Sequence, residues 1–172
     1  MKNGSQPTIG RPLYSPEERH RRDTSPWTLV QGVLAPLQFV VFLVSLALVL
    51  RYLATGEGLY AATVSIVIKT LVLYTIMVTG AIWEKVVFGR YLFAPAFFWE
   101  DVVSMGVIAL HTAYLAALIW NIGTPVEQMW LALAAYVTYV INAAQFLLKL
   151  RAARLQAGRT APADSQLAEA AG

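Results

Sequence analysis

Four long stretches of this chain are almost free of charge. Residues 24–50 carry none, residues 58–83 carry Lys69 alone, residues 102–126 carry none beyond the titratable His111, and residues 128–148 carry none. Each is long enough to cross a bilayer as a helix, which takes about 20 residues. In hydrocarbon the backbone must satisfy its own N–H and C=O groups, so runs of this kind are read as α-helices. The pattern predicts an all-α membrane protein, a four-helix transmembrane bundle with helices near 28–51, 60–84, 98–120 and 127–149. Charged residues make up only 13% of the chain, half of the roughly 25% usual in a soluble domain.

The first apolar run begins too late, is too long and lacks a small-residue cleavage site, so it reads as a span rather than a cleaved signal. The chain then divides into a polar N-terminal tail (1–23), a transmembrane domain (24–151) and an Ala/Gly-rich C-terminal tail (152–172) expected to be disordered. One short interfacial helix is expected after Ser15-Pro16. Ser25 reads as the N-cap of the first span, with Pro26 at its first position. Gly56-Glu57-Gly58 and Gly123-Thr124-Pro125 read as tight turns. There are no cysteines, which excludes thiol–disulfide chemistry, iron–sulfur clusters and cysteine nucleophiles.

Lysine and arginine are distributed asymmetrically. Lys2, Arg11, Arg19, Arg21 and Arg22 precede the first span, Lys85 and Arg90 lie in the central loop, and Lys149, Arg151, Arg154 and Arg159 follow the last. The other two loops share only Arg51. By the positive-inside rule both termini and the central loop are expected in the cytoplasm, with the chain crossing the membrane several times. Trp27, Trp83 and Trp99 would form the inner aromatic belt and Trp120 and Trp130 the outer one. Basic residues beside helix ends suit anionic lipid headgroups rather than nucleic acid.

Polar side chains inside the spans fall on stripes: Gln31, Gln38 and Ser45; Ser65, Lys69 and Gly80, with Glu84 near that face; Glu100, Ser104 and His111; Thr138, Asn142 and Gln145. Stripes on all four helices imply a shared interior, because lipid would leave those groups unpaired. Taken singly, Gln31, Gln38, Thr138 and Gln145 read as interhelical glue, and Asn142 reads equally as glue or as a ligand-binding group. Lys69 and His111 fall at matched depth, about 20 Å from the same membrane face. They read either as structural polar residues or as functional ones, with His111 a candidate metal ligand.

Two tryptophan–carboxylate clusters, Trp83-Glu84 and Trp99-Glu100-Asp101, flank the central loop. Glu84, Glu100 and Asp101 are either interfacial ion pairs with Lys85 and Arg90 or a general acid and base. The chain has no phosphate loop and no dinucleotide fingerprint. His20 and His111 are its only histidines, which argues against a bis-histidine haem and against a di-iron carboxylate bundle. An enzyme built from this inventory would use water, protons and carboxylates.

Several segments carry a family resemblance. They are Ser25-Pro26-Trp27-Thr28-Leu29-Val30-Gln31-Gly32, Lys69 through Tyr74 to Trp83-Glu84-Lys85, and Phe93-Ala94-Pro95-Ala96-Phe97-Phe98-Trp99-Glu100-Asp101. Leu110-His111-Thr112-Ala113-Tyr114 and Tyr139-Val140-Ile141-Asn142-Ala143-Ala144-Gln145-Phe146 complete the set. From about Leu13 to Leu155 the chain resembles the vinyl-bacteriochlorophyllide hydratases of phototrophic bacteria.

The resemblance implies addition of water to the 3-vinyl group of a chlorophyllide or vinyl bacteriochlorophyllide, giving a 3-(1-hydroxyethyl) group in bacteriochlorophyll a synthesis. No cofactor is implied, since the magnesium belongs to the substrate. Under that reading Glu84 and Glu100, then Asp101, are the candidate acid and base. Lys85 or Arg90 would hold the propionate, and His111 would ligate the substrate magnesium. Lys69, Asn142, Trp83 and Trp99 would line the substrate site. Other pigment-synthesis enzymes are expected partners beside the bilayer. The alternative is a non-catalytic membrane subunit that binds or transfers the pigment.

Overall fold

The computed structural model describes residues 13–170, with side chains as far as Leu155. Among those residues there are five helices and no strand: α1 Pro16–Thr24, α2 Pro26–Thr55, α3 Leu59–Phe88, α4 Phe98–Ile119 and α5 Pro125–Ala170. The last four are long and apolar enough to cross a membrane, as the uncharged runs predict. Lys2 and Arg11 of the polar tail lie outside the described residues.

Local chemistry sets the boundaries. Ser15 opens α1 with a capping box: its hydroxyl accepts from the Glu18 N–H at 3.2 Å, and the Glu18 carboxylate accepts from the Ser15 N–H at 2.8 Å. Ser25 caps α2, its Oγ accepting from the Trp27 N–H at 3.2 Å, with Pro26 in first position. Gly56 and Gly58 adopt left-handed φ values of 75° and 84°, open to glycine because it has no Cβ. That turn folds α2 and α3 into an antiparallel hairpin. Asn121, also left-handed at φ 52°, helps α4 turn back as α5.

The end of α5 differs from expectation. The sequence reading starts an irregular tail at 152, whereas the helix continues to Ala170. Residues 149–156, where Lys, Leu, Arg, Ala and Gln all favour helix, carry it past 152.

The hairpins α2–α3 and α4–α5 each pack closely, while α2 with α5 and α3 with α4 meet more sparingly. One buried cluster fills the middle, including Phe42, Val49, Ile66, Val107, Tyr114 and Tyr136. A second, aromatic cluster of Tyr14, Val87, Phe97, Trp83, Phe88 and Phe146 fills the end that carries the α3–α4 loop, hereafter the loop end. Only 22–28% of residues in the apolar part of each span are buried, and Leu29, Val40, Leu71, Val137 and Leu147 face outward. Apolar surface on this scale needs lipid to cover it, so the chain is a multi-pass membrane protein.

Ser45 ties three helices together: its hydroxyl bonds Ser65 of α3 at 2.8 Å and Tyr136 of α5. Ser45→Ala should therefore lower stability by about 0.6–1.7 kcal/mol, the range for interhelical hydrogen bonds in membranes, measured as unfolding of the purified protein in mixed micelles.

Candidate active site

At the loop end α3 is finishing and α4 is beginning, and the carboxylates of both helices turn inward. Glu84, Glu100 and Asp101 are all buried, 5%, 7% and 3% exposed. Successive helix residues point about 100° apart, so Glu100 and Asp101 cannot face the same neighbour. Asp101 faces α3, where its carboxyl lies close enough to that of Glu84 for the two to interact. Glu100 faces α5 and forms an ion pair with Lys149 at 2.6 Å. Of the three candidate carboxylates, the structure sets Glu84 beside Asp101 and turns Glu100 away toward α5. Two carboxyls can share a hydrogen bond only when one of them holds a proton.

The loop between the helices closes over this pair. The Phe93 N–H donates to Asp101 Oδ2 at 2.7 Å, and the Ala94 N–H donates to Glu84 Oε2 at 3.4 Å. Phe93 sits at φ 58°, a left-handed conformation that costs a residue with a Cβ about 1–2 kcal/mol. Its bond to Asp101 holds it there. Phe97 is 1% exposed and stacks between Phe146, at 5.7 Å, and the edges of Trp83 and Phe88, each at 5.8 Å.

Around Glu100 the polar network runs into α5. Asn142 Nδ2 donates to the Glu100 carbonyl at 2.9 Å, and Ser104 Oγ donates to Asn142 Oδ1 at 3.2 Å. Lys149 is the residue that sequence reasoning missed as a member of the site. A signal existed: it lies seven residues past Asn142, two turns along the same face.

Lys85 and Arg90 are exposed and make no ion pair with these carboxylates. Lys85 instead bonds the Gly89 carbonyl at 2.9 Å, closing the end of α3. Trp83 is half-buried and donates to Thr28 Oγ1 at 2.9 Å, whereas Trp99 is 69% exposed.

Lys69 and His111 do meet, as their matched depth suggests. Both are fully buried, and Lys69 Nζ is hydrogen-bonded to His111 Nε2. His111 Nδ1 donates to the Val107 carbonyl at 2.8 Å. Nε2, the nitrogen a metal would need, is therefore taken by Lys69. Two aromatic faces complete the surroundings of the lysine, Tyr139 at 4.3 Å and Tyr136 at 4.9 Å. Tyr136 also lines an apolar groove of about 580 Å³ between α2 and α5, with Phe42, Trp130 and Ile141. The groove adjoins the lysine–histidine contact, not the carboxyl pair.

The remaining stripe residues divide. Gln31 Nε2 donates to Thr79 at 2.8 Å, as glue should. Thr138 bonds the Ala135 carbonyl of its own helix at 2.8 Å, because a helical threonine can turn its hydroxyl back on the preceding turn. Gln38 is buried with neither amide atom bonded, and Gln145 Oε1 is likewise without a partner among the described residues.

The lysine–histidine contact makes a stability prediction. His111→Leu leaves the buried Lys69 amine without its hydrogen-bond partner and should cost about 1–3 kcal/mol, the range for an unsatisfied buried polar group. Lys69→Met combined with His111→Leu should recover much of that loss, read from the unfolding of the unaltered protein and both variants in micelles.

The family model described as 2-vinyl bacteriochlorophyllide hydratase matches residues 14–152, from Tyr14 of the aromatic cluster to just past Lys149. A Rhodobacter capsulatus protein named 2-vinyl bacteriochlorophyllide hydratase is 71% identical over 158 residues, 91% of this chain and 91% of the relative. A Cereibacter sphaeroides protein of the same name is 74% identical over 146 residues, 84% of this chain and 90% of the relative. No solved structure matches. With the family model covering all four spans and two such relatives matched over nearly their whole length, the chain belongs to the 2-vinyl bacteriochlorophyllide hydratase family.

Proposed function

We propose that this chain adds water across the vinyl group of a bacteriochlorophyllide, as its family's name describes, and that Glu84 and Asp101 perform the proton transfers. (The vinyl substituent numbered 2 in that name is the one numbered 3 above, in the systematic scheme.) The observation that carries the assignment is the buried contact between those two carboxyls. Hydration of a conjugated vinyl group needs one proton delivered to carbon and one removed from water.

The steps balance on the pair. The carboxyl that holds the proton gives it to the terminal vinyl carbon, and the macrocycle delocalises the positive charge left on the inner carbon. Water attacks that inner carbon and loses a proton to the other carboxylate. One C–H and one C–O bond form, the C=C π bond is spent, and the pair ends with one proton, as it began. Nothing is oxidised or reduced, so no nicotinamide, flavin or haem is required.

The rest of the loop end suits such a substrate. Exposed Lys85 and Arg90 are free to meet a propionate carboxylate, and Trp83 and Trp99 offer aromatic surface at the membrane edge. Lys149 holds Glu100 in its ion pair, which leaves Glu84 and Asp101 to exchange protons. The loop end faces the cytoplasm, the chain lies in the bacterial cytoplasmic membrane, and other pigment-synthesis enzymes would meet it at that face. A second reading rests on the apolar groove. There Tyr136 separates a space of about 580 Å³ from Lys69 and His111, which would place the chemistry mid-membrane.

Purified, dialysed protein supplied only with pigment and water should form the hydroxyethyl product. Glu84→Gln and Asp101→Asn should each lower turnover by at least about 100-fold, the lower end for general acid–base catalysis, while still binding pigment. Glu100→Gln should lose less turnover and more stability. Active Glu84 and Asp101 variants beside an inactive His111→Gln would move the chemistry to the groove.

Orientation is tested separately. A reporter fused after Gly172 should be active only as a cytoplasmic fusion, and periplasmic activity would reverse the assignment.

A further inference from the structure

We propose that a second site, apart from the carboxyl pair, binds the phosphodiester headgroup of an anionic membrane lipid. It is the cavity of about 100 Å³ between α1 and the loop-end part of α5, lined by Tyr14, Arg19, Arg22, Leu150, Ala153 and Arg154. That space has room for a tetrahedral oxyanion.

Three arginines meet there with little to neutralise them. Glu18 is committed to the Ser15 cap at 2.8 Å, and Glu17 to the Ser15 hydroxyl at 3.0 Å. Asp23 pairs with Arg22 at 2.7 Å. Among the described residues no carboxylate bridges Arg19 or Arg154. The guanidinium of Arg22 is stacked 4.7 Å from the centre of the Tyr14 ring.

The Tyr14 hydroxyl is the second observation. Tyr14 is 4% exposed, and its buried OH has no hydrogen-bond acceptor among the described residues. Burial pushes the phenol above its ordinary range, so it remains a donor. A buried donor without an acceptor is costly, and an oxyanion in the cavity would supply one.

Position argues for a lipid as the source. Tyr14 packs on Phe88, the last residue of α3, at 5.7 Å, so the cavity lies where the spans leave the hydrocarbon. Leu150 and Ala153 form an apolar wall, and Leu147, one turn nearer the membrane, is 68% exposed. Basic pockets at this level between helices take lipid headgroups. Free phosphate offers the same oxygens without the acyl chains.

The test uses the full chain in detergent micelles, titrated with phosphatidylglycerol, phosphatidylcholine or inorganic phosphate, with bound lipid read by native mass spectrometry. Phosphatidylglycerol should bind in preference to both other probes. Arg19→Gln with Arg154→Gln should weaken it by at least about tenfold, as expected for lost charge-assisted bonds. Tyr14→Phe, which keeps the aromatic ring in its cluster, should weaken it by about threefold or more, and Arg51→Gln at the opposite end should change nothing. Unchanged affinity in the arginine and tyrosine variants would refute the site. Inorganic phosphate or phosphatidylcholine binding as tightly as phosphatidylglycerol would also refute it. A raised KM for pigment with lipid binding intact would reassign the arginines to the substrate.

Discussion

Inside hydrocarbon a polar side chain has no water to turn to, and the arrangement of this bundle follows from that constraint. Lipid tails are as apolar as the leucines and valines that face them, so burying apolar surface does little to choose how the helices rotate. Polar groups choose instead. Ser45 draws α2, α3 and α5 to a common point, Gln31 reaches Thr79, Ser104 reaches Asn142, and Lys69 reaches His111. Each contact fixes the face one helix shows to another.

The same constraint explains the two most costly features. A lysine at zero exposure is tolerable only with a partner that can accept its proton and with aromatic faces around it; His111, Tyr136 and Tyr139 supply these. The carboxyl pair at the loop end meets its needs another way. Its outer oxygens are covered by the N–H groups of Phe93 and Ala94, and two carboxyls this close avoid like-charge repulsion only when one of them is protonated. The left-handed backbone at Phe93 is the local strain that accompanies this cover.

Division of labour among three neighbouring carboxylates then follows from helix geometry. Glu100 and Asp101 are adjacent in sequence and diverge in space, one to Lys149 and one to Glu84. Their surroundings differ, a lysine for one and a second carboxyl for the other, although the residue types are nearly the same. The central loop is more than a connection: its backbone holds the carboxyls, and Phe97 roofs the aromatic cluster beside them.

The sequence by itself determined the spans, the hairpin turns at Gly56 and Gly58, the caps at Ser15 and Ser25, and the family, because these depend on local composition, backbone freedom and short motifs. It also placed Lys69 and His111 at one depth, since a helix rises by a constant step. What it left undecided was which neighbour each side chain faces. Glu84 meets Asp101 rather than Glu100, Lys149 rather than Lys85 or Arg90 holds the ion pair, and Lys69 closes off the nitrogen of His111 that a magnesium would need. Those outcomes depend on the rotation of each helix about its axis. The helix periodicity legible in one segment is the same at every rotation, so only the packing of α3, α4 and α5 against one another selects it.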